Sequence, residues 1–520
     1  MYLEKFQDIQ DIWIKTIPNI DKMETKSLEE IREDANNFAE ALSLEYYLIG
    51  NKNKSNADLI LLYEKYKHLS REETILFAGS TLNYSSDAEQ KRKLSYLYSS
   101  LLLFFEGQYL SDINNQILHN EKNALYQYDG ITVSLSTAIH LLLNEPERQK
   151  RENIECLRAQ LFKHLKDLYV ERTKKNQEIA SHFNFKSYGD FKQNTCGIDL
   201  HTLKEQLEFF LKKTENTYTK YLQYYLKTVC DVELKYAKLH DIIYLCGADK
   251  YPQYFQAVNF VEKSQPLLKE MGIDIYVKGN VSYEIGQSQN KNYQAFCYPL
   301  NMPKKVILVS KSNQGAMAYY NFHHELGHAL HFGYVSESLP FEYKLLGDDS
   351  VTEGYAMLFG NLISNSKWMK LITNITVSEQ YKKFNYFKEL YLFRRHAIRF
   401  LSNFITYNTD GSLDDKEEAY KNLFVDTCKV PIDPANYWGD YDSNYYSGRY
   451  LRAWIFGAQL EDYLKHAFGD EWFINRKAGE IFKEVWALGE KYDANELLQR
   501  YCSCELNIDV LLNKYIKNLS

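Results

Sequence analysis

The chain has 520 residues, 45% of them hydrophobic and 25% charged, with a formal net charge of −7 and a pI of about 6.1. That balance is ordinary for a globular protein with a large core, and it speaks against a nucleic-acid surface. Basic runs such as Arg148-Gln149-Lys150-Arg151 are short and read as solvated helix faces, and neither a P-loop nor a GxGxxG supports nucleotide binding.

The first residues, Met1-Tyr2-Leu3-Glu4-Lys5-Phe6-Gln7-Asp8, lack the basic-then-apolar layout of a signal peptide. No run of about 18 uncharged apolar residues follows, so no membrane span is expected. Eight cysteines are scattered, apart from Cys502-Ser503-Cys504, and read as reduced thiols. The expectation is a cytoplasmic protein. Only 9 Pro and 23 Gly interrupt the chain, and through residues 1–270 the pattern is helical. Apolar residues recur at helical intervals over 31–48, 94–105, 157–170 and 207–225. No repeat or low-complexity linker is visible, and a boundary, if there is one, falls near Met271-Gly272. This predicts an N-terminal helical lobe over 1–270 and a second lobe over 271–520, integrated in one fold.

Between Gly272 and Ser312 the character changes. Ile273 to Val277, Tyr293 to Tyr298 and Val306 to Val309 are short β-like runs separated by Gly, Asn and Pro. A small sheet here either takes a peptide as an added strand or braces the helix that follows. The helical pattern returns after residue 353, broken at 408–411 and by an aromatic loop over 431–444.

The helix-compatible apolar stretch 316–331 contains His324-Glu325-Leu326-Gly327-His328, an HExxH motif. Residues four apart share a helix face about 6 Å apart along the axis, so both imidazoles can reach one ion. Glu325 falls beside that ion, where it can take a proton from water. A catalytic zinc wants three protein ligands and one open position. Glu353, 353 − 328 = 25 residues on, is the candidate third ligand. Ser350-Val351-Thr352-Glu353 also has the form of a capping box, in which the carboxylate would only satisfy a helix start. His331 reads as a second donor facing the site or as helix packing, and His323 as structural. Asp348 and Asp349 either orient a metal-bound His or sit at a solvated helix start.

At these residues the chain resembles the thimet-oligopeptidase and oligoendopeptidase F family of zinc peptidases, whose motif is HExGHxxH with a ligand Glu at the same distance. The resemblance extends to Asn176–Ala180 with Phe185–Tyr188, to Ala295-Phe296-Cys297 leading into Val306–Val309, and to the tyrosine-rich stretch 441–454. It departs from the family twice. The His that precedes the family's tyrosines has no counterpart between Pro434 and Asp440, and Tyr355-Ala356-Met357 replaces a Pro-Ser-Gln after the ligand Glu.

The resemblance implies a mainly α, two-lobed metallopeptidase with a deep central cleft and a small β-sheet next to the HExxH helix. It implies one Zn2+ per chain on His324, His328 and Glu353, with Glu325 as general base. Short oligopeptides are the implied substrates, with neither nucleic acid nor membrane as partner. Tyr450 or Tyr446 is the implied donor to the oxyanion, which a fixed phenol stabilises where water is excluded. With 44 tyrosines in the chain, the pair serves equally as core or groove wall. Tyr450-Leu451-Arg452 is similar to a Tyr-x-Arg of angiotensin-converting-type peptidases, which makes Arg452, with His331, a substrate-binding candidate. The competing expectations are a zinc amidase acting on a non-peptide substrate and an inactive peptide-binding relative.

Overall fold

The computed structural model describes residues 26–52, 57–247, 250–286, 294–442 and 444–520, and helices dominate it. Tyr293 and Ser443, which belong to two of the runs above, and the opening residues 1–8 lie outside the described residues. The four helical stretches of the N-terminal half become α1 (Leu28–Lys52), α2 (Ala88–Tyr109), α3 (Arg148–His182) and α4 (Leu200–Cys230). Their starts follow local chemistry. Asp87 accepts from the Gln90 amide at the head of α2, and Asp199 from His201 and Thr202 at the head of α4, each satisfying an otherwise orphaned donor. A two-stranded hairpin that the sequence pattern does not announce, β1 (Tyr126–Tyr128) and β2 (Ile131–Val133), turns at Asp129-Gly130. Both turn residues have positive φ, as a two-residue hairpin turn requires.

The small sheet forms from β3 (Val281–Ile285), β4 (Ala295–Asn301) and β5 (Lys305–Ser310), in the order β3-β5-β4. β3 runs parallel to β5 and β4 antiparallel to it. The expected strand at Ile273–Val277 is not one. The Asp274 side chain accepts from the amides of Tyr276 and Lys278 and curls the segment into a turn, although Ile273, Ile275 and Val277 are buried. Buried alternation therefore arose here without a ladder, and the strand begins four residues later.

The sheet has two packed faces. Val281, Val306, Leu308 and Cys297 join the core around α5 (Ala316–Tyr334), while Ile307, Val309 and Leu300 meet Tyr47 and Leu48 of α1. Next come α6 (Asp349–Gly360), α7 (Glu379–Asn408), α8 (Leu413–Cys428) and α9 (Tyr446–Phe468). The break expected at 408–411 is a helix end, restarted by a capping box of Ser412 and Asp415. Two cores result. One joins α1–α4 to α7, α8 and part of α9, and the other surrounds α5 and α6.

Glycines set the distance between α5, α6 and α9. A Cβ on Gly327 of α5 would stand 2.6 Å from Ala356 Cα and 2.7 Å from the Tyr355 carbonyl oxygen, both backbone atoms of α6. A Cβ on Gly354 would stand 2.2 Å from the Phe456 ring, and one on Gly457 2.9 Å from the Gly354 carbonyl oxygen. Three helices are thus drawn closer than side chains would let them come, with the HExxH motif on one and Glu353 on the next.

Candidate metal centre

His324 and His328 lie one turn apart on α5 with ring centroids 5.1 Å apart, and Glu353 faces them from the first turns of α6. Glu353 Oε2 stands 3.4 Å from His324 Nε2 and 3.7 Å from His328 Nε2, and one ligating atom from each residue lies within 4.8 Å of the others. Ligands about 2.1 Å from a tetrahedral ion are roughly 3.4 Å from one another, so this spacing suits zinc. Each side chain is 11–13% exposed. Glu353 Oε2 is buried without a hydrogen-bond partner, an arrangement that costs free energy unless a cation is there to meet it. Burial by itself would raise the Glu353 carboxyl, but the two imidazoles hold it well below the usual range. The donor set fits a divalent cation.

Supporting contacts aim these groups. His328 Nδ1 lies 2.8 Å from Thr352 Oγ1, which leaves Nε2 for the ion. The Tyr446 hydroxyl donates to Glu353 Oε1 at 2.5 Å and leaves Oε2 for it. The His324 ring stacks on Tyr320 at 5.8 Å, and Gly360 leaves room for both.

The helix start of α6 removes one of the two readings of Glu353. Asp348 is the N-cap and accepts from the Ser350 amide, so Ser350 is already helical and no Ser350–Glu353 capping box forms. The idea that Asp348 or Asp349 orients a metal-bound His also gives way. Asp348 pairs with Arg452 at 3.0 Å, Asp349 pairs with Arg449, and Thr352 holds His328 instead. A hydroxyl next to the candidate ligand carboxylate leaves no signal in a sequence pattern.

Glu325 sits at the rim of the sheet. The Cys297 backbone N–H donates to its carboxylate, at the edge of β4 that no other described strand covers. Burial pushes its carboxyl up to about 7, partly opposed by His324. A cavity of about 790 Å³ runs between β4 and the helices α1 and α2, lined by Leu42, Tyr46, Leu103, Phe104, Phe296 and Tyr298 among others. Tyr450 hydrogen-bonds Tyr320, and burial first, then Glu353, raises its phenol. Tyr446 and Tyr450 both border the centre, with ring centroids 6.0 Å apart.

Two predicted residues stand apart from the cluster. His331 is fully buried against Tyr355 at 5.1 Å, and burial lowers its imidazole to about 3. Its position three residues past His328 turns it into the packed interior. Arg452 is the ion partner of Asp348 and ties α9 to the head of α6. His323 is structural, as expected, with Nδ1 at 2.7 Å from the Tyr319 carbonyl oxygen. The sequence pattern also gave no hint of His396. From α7 it packs on Tyr450 with ring centroids 4.8 Å apart, although no His precedes the tyrosines in sequence.

No family model matches the chain, and none of the curated proteins matches it. Among solved structures it is similar to one described as "putative oligoendopeptidase F" from Bacillus anthracis str. Ames. The TM-score is 0.67 with 14% identity, over 99% of this chain and 95% of that one. At that identity the likeness establishes the fold, a mainly α architecture with small sheets.

Proposed function

We propose that the protein is a zinc-dependent peptidase that cleaves short oligopeptides. The observation that carries this reading is the convergence of His324, His328 and Glu353 beside a half-buried carboxyl, Glu325, raised to about 7. The oligoendopeptidase-like fold supports it. Zinc held by the three ligands supplies a Lewis acid for a scissile carbonyl and lowers the pKa of water. Glu325 takes the proton of the attacking water and returns it to the leaving amine, a task suited to a group that titrates near neutrality. Tyr450 donates to the oxygen that gains negative charge. Tyr446, already engaged by Glu353, positions that ligand instead.

A peptide laid along the open edge of β4 extends the sheet and passes Glu325, and the adjoining cavity takes its apolar side chains. The reading keeps 1–270 and 271–520 as parts of one integrated fold, since α1–α4 share a core with α7, α8 and part of α9. Among the described residues no helix is long and apolar enough to cross a membrane. All eight cysteines are unpaired, in keeping with a reducing cytoplasm.

The test is elemental analysis of the purified protein together with a mass-spectrometric digest of graded peptides. Glu325→Gln is expected to keep zinc and lose cleavage by about 10²-fold or more, and His324→Ala to lose both. Undiminished cleavage by Glu325→Gln refutes the mechanism. Bound zinc without cleavage of any peptide turns the reading toward a hydrolase of non-peptide amides.

A further inference from the structure

α7 is buried on nearly all sides, yet Lys388, Leu392, Arg395, His396 and Arg399 remain half-buried. Their spacing of four, three, one and three residues draws one stripe along the helix. Its neighbours show where that stripe faces. Lys388 Nζ lies 3.8 Å from Met317 Sδ near the start of α5, and His396 packs on Tyr450 at 4.8 Å. The stripe therefore runs past the metal centre, and Arg399 is its next member beyond Tyr450.

Charge is unbalanced at that end. The Asp440 carboxylate is 6% exposed and accepts from Arg395 Nη2 at 2.6 Å and from the Tyr420 hydroxyl. Arg399 reaches it only through Nε, at 3.4 Å. The two terminal amino groups of Arg399 meet no protein acceptor among the described residues, and its side chain is 40% exposed. Two guanidinium groups thus share one carboxylate, and the fork of the more exposed one is open. A planar guanidinium whose two terminal amino groups are free matches a carboxylate through that edge.

We propose that Arg399 binds the free C-terminal carboxylate of the peptide substrate, so that the enzyme releases short C-terminal fragments. The inference rests on the peptidase reading above. An α-carboxylate always lies on the leaving-amine side of the scissile bond, which fixes the side of the cleft that Arg399 serves. Arg399 is three residues, about 4.5 Å of helix rise, past His396, whose ring lies against Tyr450. At roughly 3.3 Å per extended residue, two or three residues bridge a carbonyl held beside Tyr450 and this guanidinium. Dipeptides and tripeptides are the expected leaving fragments.

The experiment compares one peptide sequence as free acid and as C-terminal amide, together with an amide carrying Glu at its last position, on the parent and on Arg399→Gln and Arg399→Lys. The parent is expected to cleave the acid with a kcat/KM at least ten-fold above the amide, mainly through KM, and to release two- or three-residue fragments. In Arg399→Gln the acid-to-amide ratio falls toward one, while Arg399→Lys keeps part of it. A ratio taken on one preparation does not depend on how much of it is folded. Equal cleavage of acid and amide by the parent overturns the inference and leaves the peptidase reading standing, as does a ratio unchanged in Arg399→Gln. Restoration of the amide by its terminal Glu to the level of the acid overturns the C-terminal assignment in favour of a side-chain carboxylate. No cleavage of any form by the parent overturns both readings.

Discussion

Gly327→Ala is the most informative perturbation of the centre, because it touches neither a ligand nor Glu325. The added Cβ would lie 2.6 Å from Ala356 Cα, 2.7 Å from the Tyr355 carbonyl oxygen and 2.8 Å from the Ala356 amide nitrogen. Ordinary contact begins at 3.4 Å, so α5 and α6 must separate by about 0.8 Å, and the opposing atoms are backbone that cannot turn aside. Overpacking of this kind costs about 1–3 kcal/mol. Alanine returns up to about 1 kcal/mol as the better helix former, leaving a net destabilisation of up to about 2 kcal/mol. Glu353 is one turn from Ala356, so its carboxylate moves with α6, several times beyond the ±0.2 Å that metal bonds tolerate.

Chelator competition is expected to show at least ten-fold weaker zinc binding, and denaturant unfolding of the metal-free protein a lower midpoint. An alanine variant that matches the parent in zinc affinity and is equally or more stable would falsify the close-approach argument, since helix propensity alone predicts stabilisation.

Tyr446→Phe removes the donor to Glu353 Oε1, and zinc affinity is expected to fall about 10–100-fold with the fold intact, measured by the same competition. Thr352→Val, which removes the partner of His328 Nδ1, is expected to act in the same direction, and no loss in either variant refutes the supporting role. His331→Phe tests a buried neutral imidazole. Its folded pKa of about 3 lies below the unfolded 6.5, so its contribution is present above pH 6.5 and is lost as pH falls toward 3. The variant should therefore show a shallower loss of stability on acidification, by up to one proton, in denaturant midpoints between pH 7 and 4. An unchanged slope means that His331 is not buried neutral.

Local rules carried much of this protein. The helices of the N-terminal half follow from apolar periodicity and the scarcity of Pro and Gly, and two of the three expected strands from short aromatic or β-branched runs between breakers. The HExxH spacing alone puts two imidazoles on one face of a helix, because 3.6 residues per turn is a property of the backbone. Ile273–Val277 misled because burial alternates in a turn as readily as in a strand when an Asp side chain, and not a neighbouring strand, takes the amides.

What the sequence left open is set by contacts between distant segments. Whether Glu353 caps a helix or faces the two His depends on where α6 begins and how closely Gly327 lets it approach α5. The roles of Thr352 and Tyr446, and the arrival of His396 beside Tyr450 from another helix, likewise exist only once α5, α6, α7 and α9 are packed together. Sequence spacing fixes geometry within one helix, but between helices the separation and rotation come from side-chain volumes summed over whole interfaces, and no local pattern contains that sum.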